Sequence, residues 1–432
     1  MKYGVVVCKN TDNIGDDVQS YAAKCFLPSV DYVIDREGLD TFQSEQGETV
    51  KAIMNGWYMY SKFNWPPVSC IDPLWVAMHI SKNDYFGIGD RFLDGVGGEY
   101  LRHYGLIGAR DESTMKMLRD KEIPCYQSGC LTLTLPQMGD INKTDEVLLV
   151  DVDKNNEETI RAQYPNETFV NITHKVDATT YHALPVNQRF ARVEMLLQRY
   201  QNAKCVVTSR LHCALPCLAL KTPVLLIYKQ EYASRIQSFL PLLHYCNFED
   251  LKTFIQSDFD ISNPPDNNTK YLEIRQQLSD VCKAFVSDES VHEPFKVSLQ
   301  EIHRWQKKLL EKAEYTFRNE LNKQGDWIKS LTNDREFFRE QSKEKQERVE
   351  ELQGWIEQLE EAKNYLEKQN NNKDIRITEL ENWCKEVTNG KDYVEAQWKQ
   401  TQRQRDEMQR KLEMLLEDDK IRKIIRKKGY EI

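Results

Sequence analysis

As far as about residue 295 the chain alternates short apolar runs with amphipathic stretches, and no other feature limits its fold as strongly. "YGVVV", "DYVID", "PLWVAMHIS", "LIGARD", "VLLVDVD", "CVVTS" and "PVLLIY" are too short for core helices and too uniformly apolar for a surface. They read as strands buried on both faces. Between them, "VQSYAAKCFL", "ESTMKMLRDK" and "QRFARVEMLLQRYQNA" repeat apolar residues at helical spacing. Strand and helix in alternation imply mainly parallel sheets, because a parallel return needs a crossover of helical length. The polar stretch "LPQMGDINKTDE", residues 135–146, interrupts the pattern. The expectation is an α/β fold of two domains, 1–140 and 141–290, facing each other across a cleft.

Beyond that point Pro and Gly almost vanish and Glu, Lys, Gln and Arg dominate. "WIKSLTNDREFFREQ" begins at Trp327, "WIEQLEEAKNYLEKQ" at Trp355 and "WCKEVTNGKDYVEAQ" at Trp383, a constant step of 28 residues, or four heptads. A period of 3.5 residues keeps one seam on one side of a supercoiled helix. A long left-handed coiled coil over 297–425 is expected, and with it a homo-oligomer. Gly325, Gly354, Gly390 and "KQNNNKD" would interrupt it. The closing "KIRKIIRKKGYEI" reads as a coil terminus or as a peripheral contact with an anionic membrane surface.

A net charge of -9 with mixed signs argues against nucleic-acid binding. "MKYGVVVCKN" is too short an apolar run for a signal or a membrane span, so a cytoplasmic protein is expected. The eleven cysteines read as reduced thiols. Cys213 and Cys217 lack a second ligand pair, and no metal is expected.

Within "KCVVTSRLHCALPCLALKTPVLLIY", residues 204–228, Arg210 and His212 fall on the turn between a strand and a helix. Ligands bind at such carboxyl ends of parallel strands. Pro216 fits a first helical turn, which sets the helix start near His212. A helix start and a guanidinium fork both favour phosphate or carboxylate. The same pattern also suits an arginine paired across a domain interface beside a hydrogen-bonded histidine. "CKNTDNIGDDVQSYAA" offers Gly15 for close backbone approach and Asp16 or Asp17 as a cap or a sugar-hydroxyl ligand. "GLIGARDESTMKML" places Arg110 and Asp111 after a strand, as an ion pair, a cap or a ligand contact. In "CYQSGCLTLTL", Ser128 and Gly129 read as a turn before an alternating strand. No G-x-S-x-G, P-loop or G-x-G-x-x-G stands at these strand ends, which counts against hydrolase triads, ATP hydrolysis and simple dinucleotide binding.

"NIGDDVQSYAA", "MNGWYMY", "IGARDESTMKML", "SGCLTLTL" and "TSRLHCALPCLALKTPVLLI", in that order over residues 4–230, resemble the polysaccharide pyruvyl transferase family. The resemblance implies a fold like that of GT-B glycosyltransferases, with two Rossmann-like domains. It implies transfer of the pyruvyl group of phosphoenolpyruvate to a sugar in cell-surface polysaccharide or exopolysaccharide synthesis, ending as a cyclic ketal, with no cofactor beyond that co-substrate. On this reading Arg210 and the helix start take the phosphate or carboxylate, and His212 is the general acid/base. Arg110 adds charge across the cleft. Asn13, Gly15 and Asp16 shape the acceptor side, with Asp16 a second base, and Ser128 and Gly129 join the substrate-binding residues. Trp57, Tyr58, Tyr60 and Trp65 are read as sugar-stacking or core residues. The acceptor is a sugar, lipid-linked or free. Two alternatives stay open: a nucleotide-sugar-dependent glycosyltransferase, and a catalytically silent head on a coiled-coil scaffold.

Overall fold

The computed structural model describes residues 1–58, 64–80, 89, 91–230, 236–333, 352–364, 405–407 and 410. It divides into two compact units, Met1–Lys323 and Gln324–Ile432. The first unit carries two sheets, and every strand pairing in them is parallel.

The first sheet has six strands: β1 (Lys2–Val7), β2 (Tyr32–Asp35), β3 (Val50–Tyr58), β4 (Ile71–Ile80), β5 (Ile107–Ala109) and β6 (Cys125–Gln127), in the order β2-β1-β3-β4-β5-β6. Its crossover helices include α1 (Ile14–Lys24), α2 (Gly95–His103) and α3 (Glu112–Arg119). The second sheet has five strands: β7 (Glu146–Val150), β8 (Thr168–Ile172), β9 (Cys205–Thr208), β10 (Val224–Tyr228) and β11 (His244–Asn247), in the order β11-β10-β9-β7-β8. Its helices are α4 (Lys154–Gln163), α5 (Ala178–His182), α6 (Val186–Asn202), α7 (Leu211–Ala219) and α8 (Leu251–Ser257). Each sheet end therefore presents strand-to-helix turns, and the turns after β1, β5, β7 and β9 carry the residues discussed below.

Two expectations change. "LTLTL" is a 3-10 turn over Leu131–Thr134, not a strand. It is buried among α1, α7 and α9 (Tyr271–Ser287), and the Thr134 hydroxyl donates to the Leu131 carbonyl. The strands β3, β6, β8 and β11 were not foreseen. β3 hides two polar side chains: Lys51 donates to the carbonyls of Phe285 and Asp288 at the end of α9, and Asn55 donates to the Gln19 carbonyl of α1. A cation at a helix C-terminus is favourable, and a buried lysine is tolerated when so bonded.

The halves are stitched together next to the strand ends. The Ile14 amide donates to the His174 carbonyl at 2.9 Å and the Val176 amide to the Asp12 carbonyl at 2.8 Å. Beneath this seam Asp17 of α1 takes two bonds from Arg189 of α6, at 2.9 and 2.6 Å, and a third from the Tyr181 hydroxyl. Arg189 also donates to the carbonyls of Cys8 and Lys9.

After α9 the chain returns to the first half. His292 meets Asp72 at 2.6 Å, Phe295 packs on Tyr100, and α10 (Leu299–Asn333) seats Trp305 on α2. Gly97 makes the seat, since a methyl group there would lie 2.8 Å from the Trp305 ring. Trp305 and Leu309 are thereby buried in the first half's core with Phe92 and Trp75. Of the repeats, Trp327 starts within α10 and Trp355 within the helical residues 352–364, while Trp383 lies outside the described residues. Among the described residues no helix is long and apolar enough to cross a membrane.

The Asp17–Arg189 pair is almost wholly buried, so removing one partner leaves an uncompensated charge. Asp17→Ala is expected to cost about 3–5 kcal/mol, read by urea denaturation, and replacing the pair by Leu and Met together about 3 kcal/mol less than that or better.

Candidate functional site

The turn after β9 is built on the sheet. The Thr208 hydroxyl donates to the Val150 carbonyl and accepts from the Arg210 amide, and the Ser209 hydroxyl donates to the Asp151 carbonyl at 2.7 Å. Asp151 ends β7 with φ +50°, a left-handed conformation that a short polar side chain tolerates. Its carboxylate accepts from Arg210 Nε at 2.7 Å, from the Thr173 hydroxyl at 2.6 Å and from the His174 amide at 3.0 Å. Burial alone would raise this carboxyl, but the bonds from Thr173 and His174 and the Arg210 charge hold it below the usual carboxylate range. Arg210 is thus an ion-paired residue. Its terminal nitrogens make no hydrogen bond among the described residues, and its side chain stays 33% exposed.

Arg210 is also the residue before α7. Pro216 lies in the second turn rather than the first, and its position four residues after His212 has a consequence. A proline has no amide to bond the carbonyl four back and its ring crowds that carbonyl. His212 accordingly leaves helical geometry, at φ -80° and ψ 15°.

The turn after β1 meets this one. Asn13 caps α1 by accepting from the Gly15 amide at 3.0 Å. A methyl group on Gly15 would lie 3.1 Å from Asn13 Oδ1, 3.3 Å from His174 Nδ1 and 3.3 Å from His212 Cβ. Close backbone approach is therefore required here, between the two halves. Asp16 accepts from the Thr11 hydroxyl at 2.6 Å and the Gln19 amide at 3.4 Å, and Arg36 stands 3.7 Å away. Its neighbour Asp17 is buried and paired with Arg189 of α6.

A second group forms at the ends of β4, β5 and β6. Arg110 is 1% exposed, donates through Nε to Asp111 Oδ2 at 3.2 Å, and its Nη2 has no hydrogen-bond partner among the described residues. Asp111 caps α3 through Oδ1, which accepts from the Thr114 amide and from the Ser113 and Thr114 hydroxyls. His79 Nδ1 reaches Asp111 Oδ2 at 2.6 Å. Burial opposes the charge on Asp111, but the His79 bond and the cationic neighbours hold its carboxyl well below the ordinary range. The Ser128 hydroxyl is occupied within the sheet, accepting from the Ala77 amide and donating to the Ala109 carbonyl. Gly129, at φ +76°, lines a hollow of about 230 Å³ with Gln127, Ser238, Phe239 and Ile274.

Asn13, Gly15, Arg210 and His212 are thus brought to one place, and Arg110, Ser128 and Gly129 to another. Asp151, His174 and His79 were missed. An aspartate closing an apolar strand was the available signal for Asp151; the lone histidines gave none. Tyr58 and Trp65 are core residues, 2% and 1% exposed, Trp57 is partly buried, and Tyr60 lies outside the described residues. Among the described residues no cluster of His, Cys, Asp or Glu is arranged to hold a metal.

The model of the polysaccharide pyruvyl transferase family matches residues 13–230, half of the chain, and spans both turns. The chain belongs to this family. The matched region of the polysaccharide pyruvyl transferases thus includes Arg110, Arg210 and His212 and leaves out α9 and α10. No curated protein matches the chain. Among solved structures it is similar to an uncharacterized protein of Klebsiella pneumoniae, at 14% identity and a TM-score of 0.35, covering 57% of this chain and 92% of that one. It is also similar to the UDP-GlcNAc 2-epimerase of Methanocaldococcus jannaschii in complex with UDP-GlcNAc and UDP, at 10% identity and a TM-score of 0.32, covering 72% of this chain and 100% of that one.

Two measurements follow from the geometry. Asp151 is lowered on folding, so its contribution is fully present above the unfolded value of about 3.9 and is lost as pH falls through the lower folded value. The stability gap between wild type and Asp151→Asn, followed by thermal unfolding, should hold above about pH 5 and narrow below about pH 4. Gly15→Ala crowds His174 and His212 and is expected to cost about 1–3 kcal/mol in the same assay.

Proposed function

We propose that the protein transfers the pyruvyl group of phosphoenolpyruvate to hydroxyls of a sugar in cell-surface polysaccharide synthesis. One observation carries this reading: Asp151 holds Arg210 by Nε, and at this helix start, two residues before His212, the terminal nitrogens of the guanidinium make no hydrogen bond among the described residues. Such an edge suits a phosphate or carboxylate bidentately. The membership of the polysaccharide pyruvyl transferase family supports it independently.

In the proposed reaction His212 delivers a proton to the vinyl CH2 carbon of the donor, and the adjacent carbon becomes electrophilic. A sugar hydroxyl adds there and its proton returns to the histidine. A second hydroxyl then displaces the phosphate, which leaves with that hydroxyl's proton, and a ketal and inorganic phosphate result. Arg210 and the start of α7 neutralise the donor's anionic groups, and Arg110, through Nη2, which has no hydrogen-bond partner among the described residues, supplies the second cation. Asn13 and Gly15 shape the acceptor side. Asp16 is the second base, with its oxygens oriented by Thr11 and Gln19. Gly129 faces the acceptor through the hollow it lines, and Ser128 acts through the sheet backbone it bonds. The reaction uses no cofactor beyond its co-substrate. The two sheets are read as the halves of a GT-B-like cleft, and the repeats from Trp327 onward as a coiled coil joining copies of the chain, in the cytoplasm or at the inner membrane face.

Calorimetry of phosphoenolpyruvate binding tests the proposal. Arg210→Ala should weaken it by roughly 10- to 100-fold, the worth of charge-assisted hydrogen bonds of about 1.5–3 kcal/mol. Selective binding of a nucleotide sugar, with no binding of phosphoenolpyruvate, would replace pyruvyl transfer by glycosyl transfer.

A further inference from the structure

Inside β4 the backbone turns left-handed at Ala77, where φ is +53°. A residue with a β-carbon is uncommon in that region, and it persists only where the surroundings hold it. The register shows what the turn does. Met54 of β3 pairs with Trp75 and Gly56 with Met78, so two steps along β3 answer three along β4, and Ala77 belongs to a β-bulge. One extra residue turns the side chains that follow to the opposite face. Past the bulge, Met78 pairs with Ala109 of β5, and its carbonyl accepts from the Arg110 amide at 2.8 Å. His79 comes next, with Nδ1 2.6 Å from Asp111 Oδ2 and 3.1 Å from Thr114 Oγ1, and the Ile80 amide donates to the Thr114 hydroxyl at 3.1 Å. The backbone of Arg110 and the carboxylate that takes its Nε are thus both set against the stretch of β4 that the bulge has turned.

Ser128 holds this bulge from two strands away. Its hydroxyl accepts from the Ala77 amide at 3.0 Å and donates to the Ala109 carbonyl at 3.0 Å, with the Gly129 carbonyl at 3.2 Å. Because β5 lies between β4 and β6 in the sheet, the side chain has to pass over β5. It passes at Gly108, where a methyl group would lie 3.0 Å from Ser128 Cβ, 3.1 Å from Ser128 Oγ and 3.0 Å from Val76 Cα. One hydroxyl therefore ties the residue before Met78 to the residue before Arg110. We propose that Ser128 is a positioning residue for Arg110: passing over Gly108, it holds the bulge at Ala77 and, through the backbone of β4 and β5, the aim of the guanidinium at an anion. Without the hydroxyl the buried Ala77 amide loses its acceptor, and nothing fixes its left-handed conformation against the pull of its β-carbon. The proposal deepens the reading of Arg110 as an anion contact and rests on it.

The test is calorimetry of sulfate and of phosphoenolpyruvate on the full chain, well below the unfolding temperature, with thermal unfolding of each variant followed alongside. Ser128→Ala should weaken anion binding by about 3- to 30-fold, and in an Arg110→Gln background the same change should leave the remaining affinity where it is. Adding Ala77→Gly to Ser128→Ala should restore most of the lost affinity, since glycine takes up the left-handed conformation without steric cost. Gly108→Ala, which closes the passage, should reproduce the loss. Should Ser128→Ala fail to fold, Ser128→Cys, which nearly keeps the volume and weakens both bonds, goes through the same cycle. An affinity unchanged while the unfolding temperature falls marks a merely structural serine and overturns the proposal. So does an equal loss with and without Arg110, or no recovery with Ala77→Gly. Sulfate binding that passes the cycle, with no binding of phosphoenolpyruvate, leaves the proposal standing while the functional reading fails. Phosphoenolpyruvate binding indifferent to Ser128 does the reverse, and failure of both anions to bind overturns both.

Discussion

The buried pair of Asp17 and Arg189 fixes how the two halves meet. Neither side chain is more than 2% exposed, and every nitrogen of the guanidinium is engaged, by Asp17 or by the carbonyls of Cys8 and Lys9. A displacement of one half by a bond length would strand both charges in a low-dielectric interior, so the seam has one acceptable register. That register places Gly15 against His174 and His212. The site thus inherits its precision from an ion pair buried beneath it.

The chain uses one device three times and to two ends. Arg189, Arg210 and Arg110 are each held through Nε by an aspartate, Asp17, Asp151 and Asp111 respectively. In Arg189 the remaining nitrogens are consumed by protein, and the residue is architecture. Among the described residues no hydrogen bond takes up the terminal nitrogens of Arg210 or Nη2 of Arg110, which leaves oriented positive charge where strands end. A pre-aimed guanidinium loses little side-chain freedom when an anion arrives. Pro216 adds a second kind of preparation, since it bends α7 at His212 rather than farther along.

Much of this was legible in the residues. Alternating apolar runs gave two mainly parallel sheets, and "TSRLHCALP" placed Arg210 and His212 on a strand-to-helix turn. β3 escaped notice because Lys51 and Asn55 break its apolar pattern, and their partners lie far away in sequence, at residues 285–288 for the lysine. "LTLTL" misled because strict alternation is a strand signal only where a strand edge is free to pair. The ion pair of Arg110 with Asp111 was legible because the two are adjacent, whereas Asp151 was visible as a residue but not as the holder of Arg210, since pairing across 59 residues leaves no local trace. Pro216 was read as marking a helix start, when it marks a bend one turn in.

The tail changes character in composition near residue 295, yet the compact unit runs on to Lys323. Trp305 and Leu309 fill the core of the first half, on a floor that Gly97 keeps low. The opening turns of α10 therefore behave as a plug rather than as the base of a stalk. A cut at the compositional border would leave an open apolar socket beside Phe92 and Trp75, and the remaining head would be prone to associate through it. Any self-association of such a fragment would report on the missing plug and not on the repeats beyond it.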